Sequence, residues 1–378
     1  MVVKETLPAS LADKDIPAYM REVCERSRRN LLAKKGLGGF IIHPRGWNDI
    51  LLQFPGLVTV DPVKGCREFE ELDPFVICNY TGLKNQQGED LPCFLFCAPF
   101  LPEHALADPH FAQRQIIKTA RIAKEEYGVE LIGLGEFTAM LTRYGQDIER
   151  EVPGMYATSG HGNTVNLISE IRTEVASILD IDLRQSTLAV VGAAGSIGST
   201  CAQLFKDDNK RMILIDRPQK IGRSNKYSKQ GNIQVTSDLT ALKEADFIIC
   251  ATTAPKPIIF RDQLSKGAVI IDDSQPPNIS REEAESAQAL IVHPIARTGM
   301  ARPFDYGLPT ADDWACVAEM LALIATRKYD LRTIGPVRPE NVEWMRRLSQ
   351  EVGFRPAPLQ AFGEYITKQQ FDKIRAVR

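Results

Sequence analysis

The stretch Leu188-Ala-Val-Val-Gly-Ala-Ala-Gly-Ser-Ile-Gly198 combines residue types and spacing in a way that implies chemistry. An apolar run ending at Val191 turns through Gly192-x-x-Gly195-x-x-Gly198 into a helix expected from Ser196 to about Lys206. Glycines suit such a turn because the backbone must bend sharply, approach a pyrophosphate and pack its helix onto the strand, while the helix N-terminus offers N–H groups and a positive dipole end to the phosphates. Gly192, Ala193, Gly195, Ser196, Ile197 and Gly198 are therefore candidate dinucleotide-binding residues. Asp216, at the end of the next strand (Arg211 to Ile215), stands where an acidic residue holds a ribose 2′-OH, and Arg217 follows it directly. Thr252, leaving a later strand at the same edge, is placed to meet the nicotinamide half. The alternative is a tight turn in an α/β protein that binds no cofactor.

A second loop with chemical potential is Thr158-Ser-Gly-His-Gly-Asn-Thr164, ahead of a helix expected over Val165 to Leu179. Asn163 or Thr164 could cap that helix. Two glycines and a histidine exceed what a cap requires, so His161 is a candidate for lining an active site, by holding the loop or by moving protons. The eight cysteines show no paired C-x-x-C spacing, and Cys93 and Cys97 lie in an apolar segment, which reads as buried thiols in a reduced protein with no metal site.

The elements that must position these residues follow from length and patterning. A chain of 378 residues with 25% charged residues and a net charge of -2 has room for two or three domains and no global field for nucleic acid. The mixed charges of Met1 to Asp15 do not fit a signal peptide, and the apolar run Cys93 to Leu101 is too short to span a bilayer, so a cytoplasmic protein is expected. Ile16 to Lys35 reads as a basic helix, either a solvated face or a docking surface for an acidic partner. Short strands are expected at Leu51 to Val60, Phe75 to Tyr80 and Leu91 to Ala98, a helix at Pro109 to Tyr127 ending at Gly128, and a strand at Val129 to Gly133. From Thr187 to Val292, strands alternate with polar helical segments, the pattern of a doubly wound parallel sheet with its ligand at the carboxyl ends of the strands. After the Gly-, Pro- and Arg-rich stretch His293 to Pro309, Thr310 is expected to open a helix from Ala311 to about Arg327, with further helices around Asn341 to Glu351 and Pro358 to Ile374. The expected fold is thus α/β: an N-terminal α+β substrate domain (1–155), a Rossmann-type dinucleotide domain (156–295) and a C-terminal helical region (296–378).

Several pieces in fixed order resemble the long-chain acyl-ACP reductase family, which makes fatty aldehydes. They are Leu134-Gly-x-Phe-Thr138, the Thr158-Ser-Gly…Thr164 loop, Val191-Gly-Ala-x-Gly-x-Ile-Gly198, Met300-Ala-Arg-Pro303, Ala315-Cys-x-Ala-Glu319 and Gly353-Phe-x-Pro356, spread over Leu101 to Pro356. The resemblance implies NADPH as cofactor, acyl carrier protein or acyl-CoA as acyl donor, an enzyme that consumes the aldehyde as a further partner, and Cys316 as the acyl-carrying nucleophile. Two features depart from the pattern: His161 and Asn163 stand where the family has Asn and His, and Phe304 to Pro309 looks inserted. The resemblance also favours Arg217, with Lys220 and Arg223 nearby, as a 2′-phosphate site. Cys316 is expected about six residues past the Thr310 cap, beyond the first turn where the helix dipole acts, so His161, Arg297 and Arg302 are the candidates for activating it, and Glu319 for orienting a partner or sharing a proton. Two other readings stay open: a shikimate-type dehydrogenase of a small hydroxy acid, which needs a Lys/Asp pair that the N-terminal region does not offer, and a non-catalytic dinucleotide-binding sensor.

Overall fold

The computed structural model describes residues 15–32, 35–85, 87–228, 230–305 and 307–378. Lys34 and the residues before Asp15, on which part of the sequence reading rests, lie outside them. The chain packs as two compact units: residues 1–160, 299–311 and 319–335 form the first, and 161–298, 312–318 and 336–378 the second. Residues 296–378, expected as one region, are therefore divided between the two units.

The first unit is built on a five-stranded sheet of β1 (Gly38–Ile42), β2 (Phe75–Tyr80), β3 (Cys93–Cys97), β4 (Leu131–Leu134) and β5 (Tyr156–Thr158), in the order β2-β3-β1-β4-β5. All neighbours are parallel except the edge pair β2 and β3. Near-continuous burial of β1, β3 and β4 matches strands covered on both faces. The strand β1 was not expected, as no element was assigned between Lys35 and Leu51. The glycines are needed for packing: a Cβ on Gly39 would lie 2.8 Å from Ile132 and Phe96 side-chain carbons. The helix Pro109–Tyr127 has the expected bounds, with Asp108 capping its start and Gly128, at φ 76, ending it. Leu51 to Val60 is helical, not a strand: Trp47–Gln53 and the short turn Pro55–Leu57 bury Ile50, Phe54 and Leu57 against Ile16 and Met20. A mixed apolar run beside Pro55 carried no period that could tell the two apart.

The second unit holds a six-stranded, fully parallel sheet of β6 (Thr187–Val191), β7 (Arg211–Ile215), β8 (Ile233–Thr236), β9 (Phe247–Cys250), β10 (Val269–Asp272) and β11 (Leu290–Val292). Its order, β11-β10-β9-β6-β7-β8, is the Rossmann order read from the far edge, with the direction of winding reversing between β6 and β9. Small antiparallel pairings follow: β12 (Ile295–Arg297) lies between β13 (Asp312–Trp314) and β14 (Arg355–Pro356), and β15 (Gln360–Ala361) pairs with β16 (Glu364–Tyr365).

Two helix expectations change here. Asp312 and Asp313 belong to β13, so the helix expected from Ala311 begins at Ala315 and runs to Thr326, without Thr310 as its cap. Arg297 Nε, Gln360 Nε2 and Tyr365 Oη all donate to the buried Asp312 carboxylate, and these bonds hold the segment extended. Pro358 to Ile374 is not one helix; a hairpin turning at Phe362-Gly363, both at positive φ, precedes a helix over Lys368–Val377. Among the described residues no helix is long and apolar enough to cross a membrane.

Candidate active site

The reversal between β6 and β9 is where the glycine-rich turn sits. Gly192 has φ 87, and a Cβ there would lie 2.3 Å from the Ala251 carbonyl oxygen at the end of β9. A Cβ on Gly198 would meet the Gly192 carbonyl oxygen at the same 2.3 Å. Both positions exclude a side chain, one by conformation and contact, the other by contact alone. Gly195, in extended conformation, precedes the helix Ser196–Phe205, and Ala193 and Ser196 are buried while Ile197 is half-buried. The strand–turn–helix expected from the sequence is present, with the helix N-terminus following the turn as in sites that receive a phosphate.

Asp216 is already engaged. Its Oδ2 accepts the Ala194 N–H at 2.8 Å and its Oδ1 the Arg217 N–H at 2.8 Å. The carboxylate thus braces the turn, while Arg217 and Arg223 are exposed and Lys220 half-buried on the following segment.

Thr252, past β9, is tied to groups that the sequence did not single out. Its N–H donates to Ser274 Oγ (3.0 Å), and its hydroxyl donates to Asn278 Oδ1 (2.9 Å). Asp272, at the end of β10 and fully buried, accepts N–H groups from Ser274 (3.0 Å) and Asn278 (2.7 Å). Burial pushes its carboxyl up to about 7 against those bonds, and raises the neighbouring Asp273, with Asp272 adding to the effect. Asn278 Nδ2 is buried without a hydrogen-bond partner. The signal available was Asp272-Asp273-Ser274 directly after an apolar strand, which a search for glycine patterns passes over.

The Thr158–Thr164 loop divides into a short strand and a helix start. His161 is the first residue of a helix over His161–Ile178, so Asn163 and Thr164 lie inside it and do not cap it. The Asn163 amide instead donates to the Ala315 carbonyl at 3.0 Å, and its oxygen accepts from Ser349 Oγ at 3.1 Å. His161 Nδ1 lies 3.1 Å from Ser196 Oγ, the first side chain of the dinucleotide helix. That hydroxyl also accepts the Val337 N–H at 2.9 Å, which leaves its proton free to go to the ring. Burial pushes His161 down to about 4, so the ring is neutral at pH 7 and works by hydrogen bonding.

Cys316 is half-buried and stands second in the helix Ala315–Thr326. Residues 315–318 of that helix belong to the second unit and 319–326 to the first. Of the residues suggested to activate or assist the thiol, His161 is bound to Ser196, and Arg297 is held by Asp312 and by Tyr365 Oη at 2.7 Å. Glu319, fully buried, accepts from the Thr158 hydroxyl and from the Thr333 N–H at 3.1 Å, bonds that lie within the first unit, as does Arg302.

The profile of shikimate/quinate 5-dehydrogenases matches residues 173–293, the stretch that contains the second unit's sheet. The chain is 29% identical over 203 residues to the long-chain acyl-[acyl-carrier-protein] reductase of Synechococcus elongatus, covering 50% of this chain and 59% of that one. It is 24% identical to aminotransferase PigE of a Serratia strain over 324 residues, 80% of this chain but 36% of the relative. The chain thus spans about three fifths of the reductase and just over a third of PigE. Among solved structures, the NAD-dependent malic enzyme of Thermotoga maritima aligns over 100% of this chain and 95% of its own at 13% identity, with a TM-score of 0.42. The profile match and the Rossmann strand order agree on a sheet of the dinucleotide-binding kind in the second unit.

Proposed function

We propose that the protein reduces an acyl thioester, presented on acyl carrier protein or coenzyme A, to an aldehyde, with NADPH as reductant and the acyl group held on Cys316. The observation that carries this reading is the place of Cys316. It lies in the first turn of its helix, and alone among the second unit's described cysteines it is not buried; Cys201 and Cys250 are enclosed, and burial raises both thiols. A thiolate in a first turn lies against unpaired N–H groups and the positive end of the helix dipole. The helix start at Ala315 therefore supplies the activation that a start at Ala311 would have denied.

The Cys316 sulfur attacks the thioester carbon, the bond to the carrier sulfur breaks, and the carrier thiolate takes up one proton. NADPH, when bound, supplies hydride to the thioacyl carbon. The carbon–sulfur bond to Cys316 then breaks as the carbonyl reforms, which releases the aldehyde and returns the thiolate. The Asn163 amide fixes the first carbonyl of the cysteine helix, and neutral His161 fixes Ser196 at the mouth of the cradle. Arg217, with Lys220 and Arg223, offers charge for a 2′-phosphate.

Incubation with an acyl thioester in the absence of NADPH is expected to add one acyl mass to the Cys316 peptide. Cys316→Ser should bind NADPH as the wild type does and lose aldehyde formation by about 1,000-fold or more. Full activity in the serine variant would refute covalent catalysis at this residue. It would favour the second reading, a small hydroxy-acid dehydrogenase, which the profile match over residues 173–293 supports for the dinucleotide sheet alone.

A further inference from the structure

A carboxyl that takes no part in the second unit's hydrogen bonding stands where β9 and β10 end. The segment 272–278 is otherwise tied down. Asp272 accepts the N–H groups of Ser274 and Asn278, Ser274 Oγ accepts the Thr252 N–H, and Asn278 Oδ1 accepts the Thr252 hydroxyl. The loops leaving β9 and β10 are thereby fastened to each other. Asp273 sits inside this knot, and only its backbone is used. Its N–H donates to the Cys250 carbonyl at 3.0 Å, which extends the pairing of β10 with β9 by one residue.

Side chains alternate along a strand, so Asp273 points away from Asp272 and from Ile270, whose face packs in the core with Ile248 and Cys250. On the other side its charge reaches Cys201, in the helix Ser196–Phe205 that opens at the glycine-rich turn. Among the described residues no group bonds to the Asp273 carboxyl, although the residue is half-buried. Enclosing a carboxyl without a partner is costly, and at a ligand-binding edge it points to a partner supplied by the ligand. A dinucleotide with its pyrophosphate at the start of the helix Ser196–Phe205 and its adenosine half beside β7 carries its nicotinamide half over β9 and β10.

We propose that Asp273 receives the carboxamide of the nicotinamide ring, accepting from its N–H2 group and donating to its oxygen. This rests on the dinucleotide reading of the second unit and is independent of the acyl thioester. An un-ionised carboxyl presents one donor beside one acceptor, the complement of a carboxamide, whereas a carboxylate can only accept. Burial holds Asp273 well above the usual carboxylate range, and Asp272 adds to the effect. The groups that share its charge are Asp272 and the buried Cys201 thiol, neither of them a cation that would draw off the proton. Two bonds to one planar group fix the rotation of the ring, as a single bond does not.

Calorimetry on the full chain tests the assignment without turnover, by comparing NADPH with 2′-phospho-ADP-ribose, which lacks the nicotinamide ring. Asp273→Asn, which keeps a donor and an acceptor, should bind both ligands as the wild type does. Asp273→Leu should weaken NADPH about tenfold and leave 2′-phospho-ADP-ribose unchanged. The wild type should bind the 3-acetylpyridine analogue of NADPH, whose ring lacks the N–H2 group, about fivefold more weakly than NADPH itself. Equal affinity for NADPH and the analogue overturns the assignment. So does undiminished NADPH binding in Asp273→Leu, or an Asp273→Asn that loses as much as Asp273→Leu. Where the wild type still binds 2′-phospho-ADP-ribose, such a result removes only the role of Asp273; a wild type that binds neither ligand removes the dinucleotide reading with it.

Discussion

The two sheets share a winding and differ in what fills the point where it reverses. In the second unit the β6–β9 reversal is filled by backbone: Gly192 and Gly198 exclude side chains, and the N–H groups of Gly192, Ala193, Ala194 and Gly195 are bonded within the unit, which leaves the first turn of the helix Ser196–Phe205 to meet a ligand. In the first unit the β1–β4 reversal is filled by titratable side chains, His43 and Glu136, packed under phenylalanine rings. A backbone cradle binds phosphate at any ordinary pH, because peptide N–H groups do not titrate. A buried acid–base pair responds to protons and costs stability in the same measure. A reversal of winding is thus closed by backbone in one unit and by titratable side chains in the other.

The sharpest way to break this comparison is to put a side chain into the cradle. Gly198→Val would drive carbon into the Gly192 carbonyl, already 2.3 Å from a hypothetical Cβ. Dinucleotide affinity, followed by calorimetry, should fall by about 100-fold or more, about 3 kcal/mol. Binding within a few-fold of wild type would mean that the glycines serve helix packing alone.

Glu136 and His161 predict pH effects of opposite sign. Glu136 is held protonated in the fold, up to about 8, but ionises in the unfolded chain at its ordinary value of 4.5. The unfolded state therefore binds fewer protons between these values, and wild-type stability falls as pH rises through that window. Glu136→Gln removes the effect: it should match wild type below about pH 4.5 and exceed it by on the order of 2 kcal/mol at pH 8 and above. His161 runs the other way. It is neutral in the fold down to about 4 but protonates in the unfolded chain near 6.5, so stability is full above 6.5 and is lost as pH falls toward 4. His161→Gln should flatten that acid limb by a similar amount. Denaturant melts across pH 4–9 test both; parallel curves for Glu136→Gln and wild type would mean an ionised Glu136.

This difference also explains what was legible in the sequence. The glycine-rich turn could be read because backbone geometry dictates residue type at fixed spacing, and β7 has the bounds expected of it. The His43–Glu136 pair could not, because 93 residues separate partners joined only by the parallel register of β1 and β4, and no element was expected at β1. Local pattern reports what a turn needs; it does not report which strands become neighbours. The cysteine helix failed for a related reason. Asp312 and Asp313 resemble first-turn residues, yet Arg297, Gln360 and Tyr365 hold Asp312 in a strand, and no local rule foresees partners so distant.

A smaller effect concerns which dinucleotide the cradle selects. With Asp216 bonded to the Ala194 and Arg217 N–H groups, it is less available to a ribose hydroxyl, and the exposed Arg217 is the nearest cation in sequence. Arg217→Ser should reduce the preference for NADPH over NADH by about tenfold, read as the ratio of dissociation constants, the usual scale of one charge-assisted phosphate contact. An unchanged ratio would move the specificity to Lys220 or Arg223.

The smallest expected effect lies on the first unit's surface helix Ile16–Leu31. Its basic character is partly spent within the unit: Arg28 pairs with Glu126 at 2.9 Å and with Glu25 at 3.6 Å, and Arg26 with Glu22 at 3.4 Å. Arg21 and Arg29 are exposed, and these are the residues through which an acidic carrier protein would feel the helix. Such rim charges mainly speed encounter, and salt screens them within about 10 Å. Arg21→Glu with Arg29→Glu should therefore raise KM for acyl-ACP about three- to fivefold at low salt, an effect that fades at high salt, and leave kcat unchanged. Acyl-CoA serves as the control, since it lacks the carrier's acidic surface. If both donors respond alike, the substitutions have disturbed the unit itself; if neither responds, the helix is a solvated face and carrier recognition lies elsewhere.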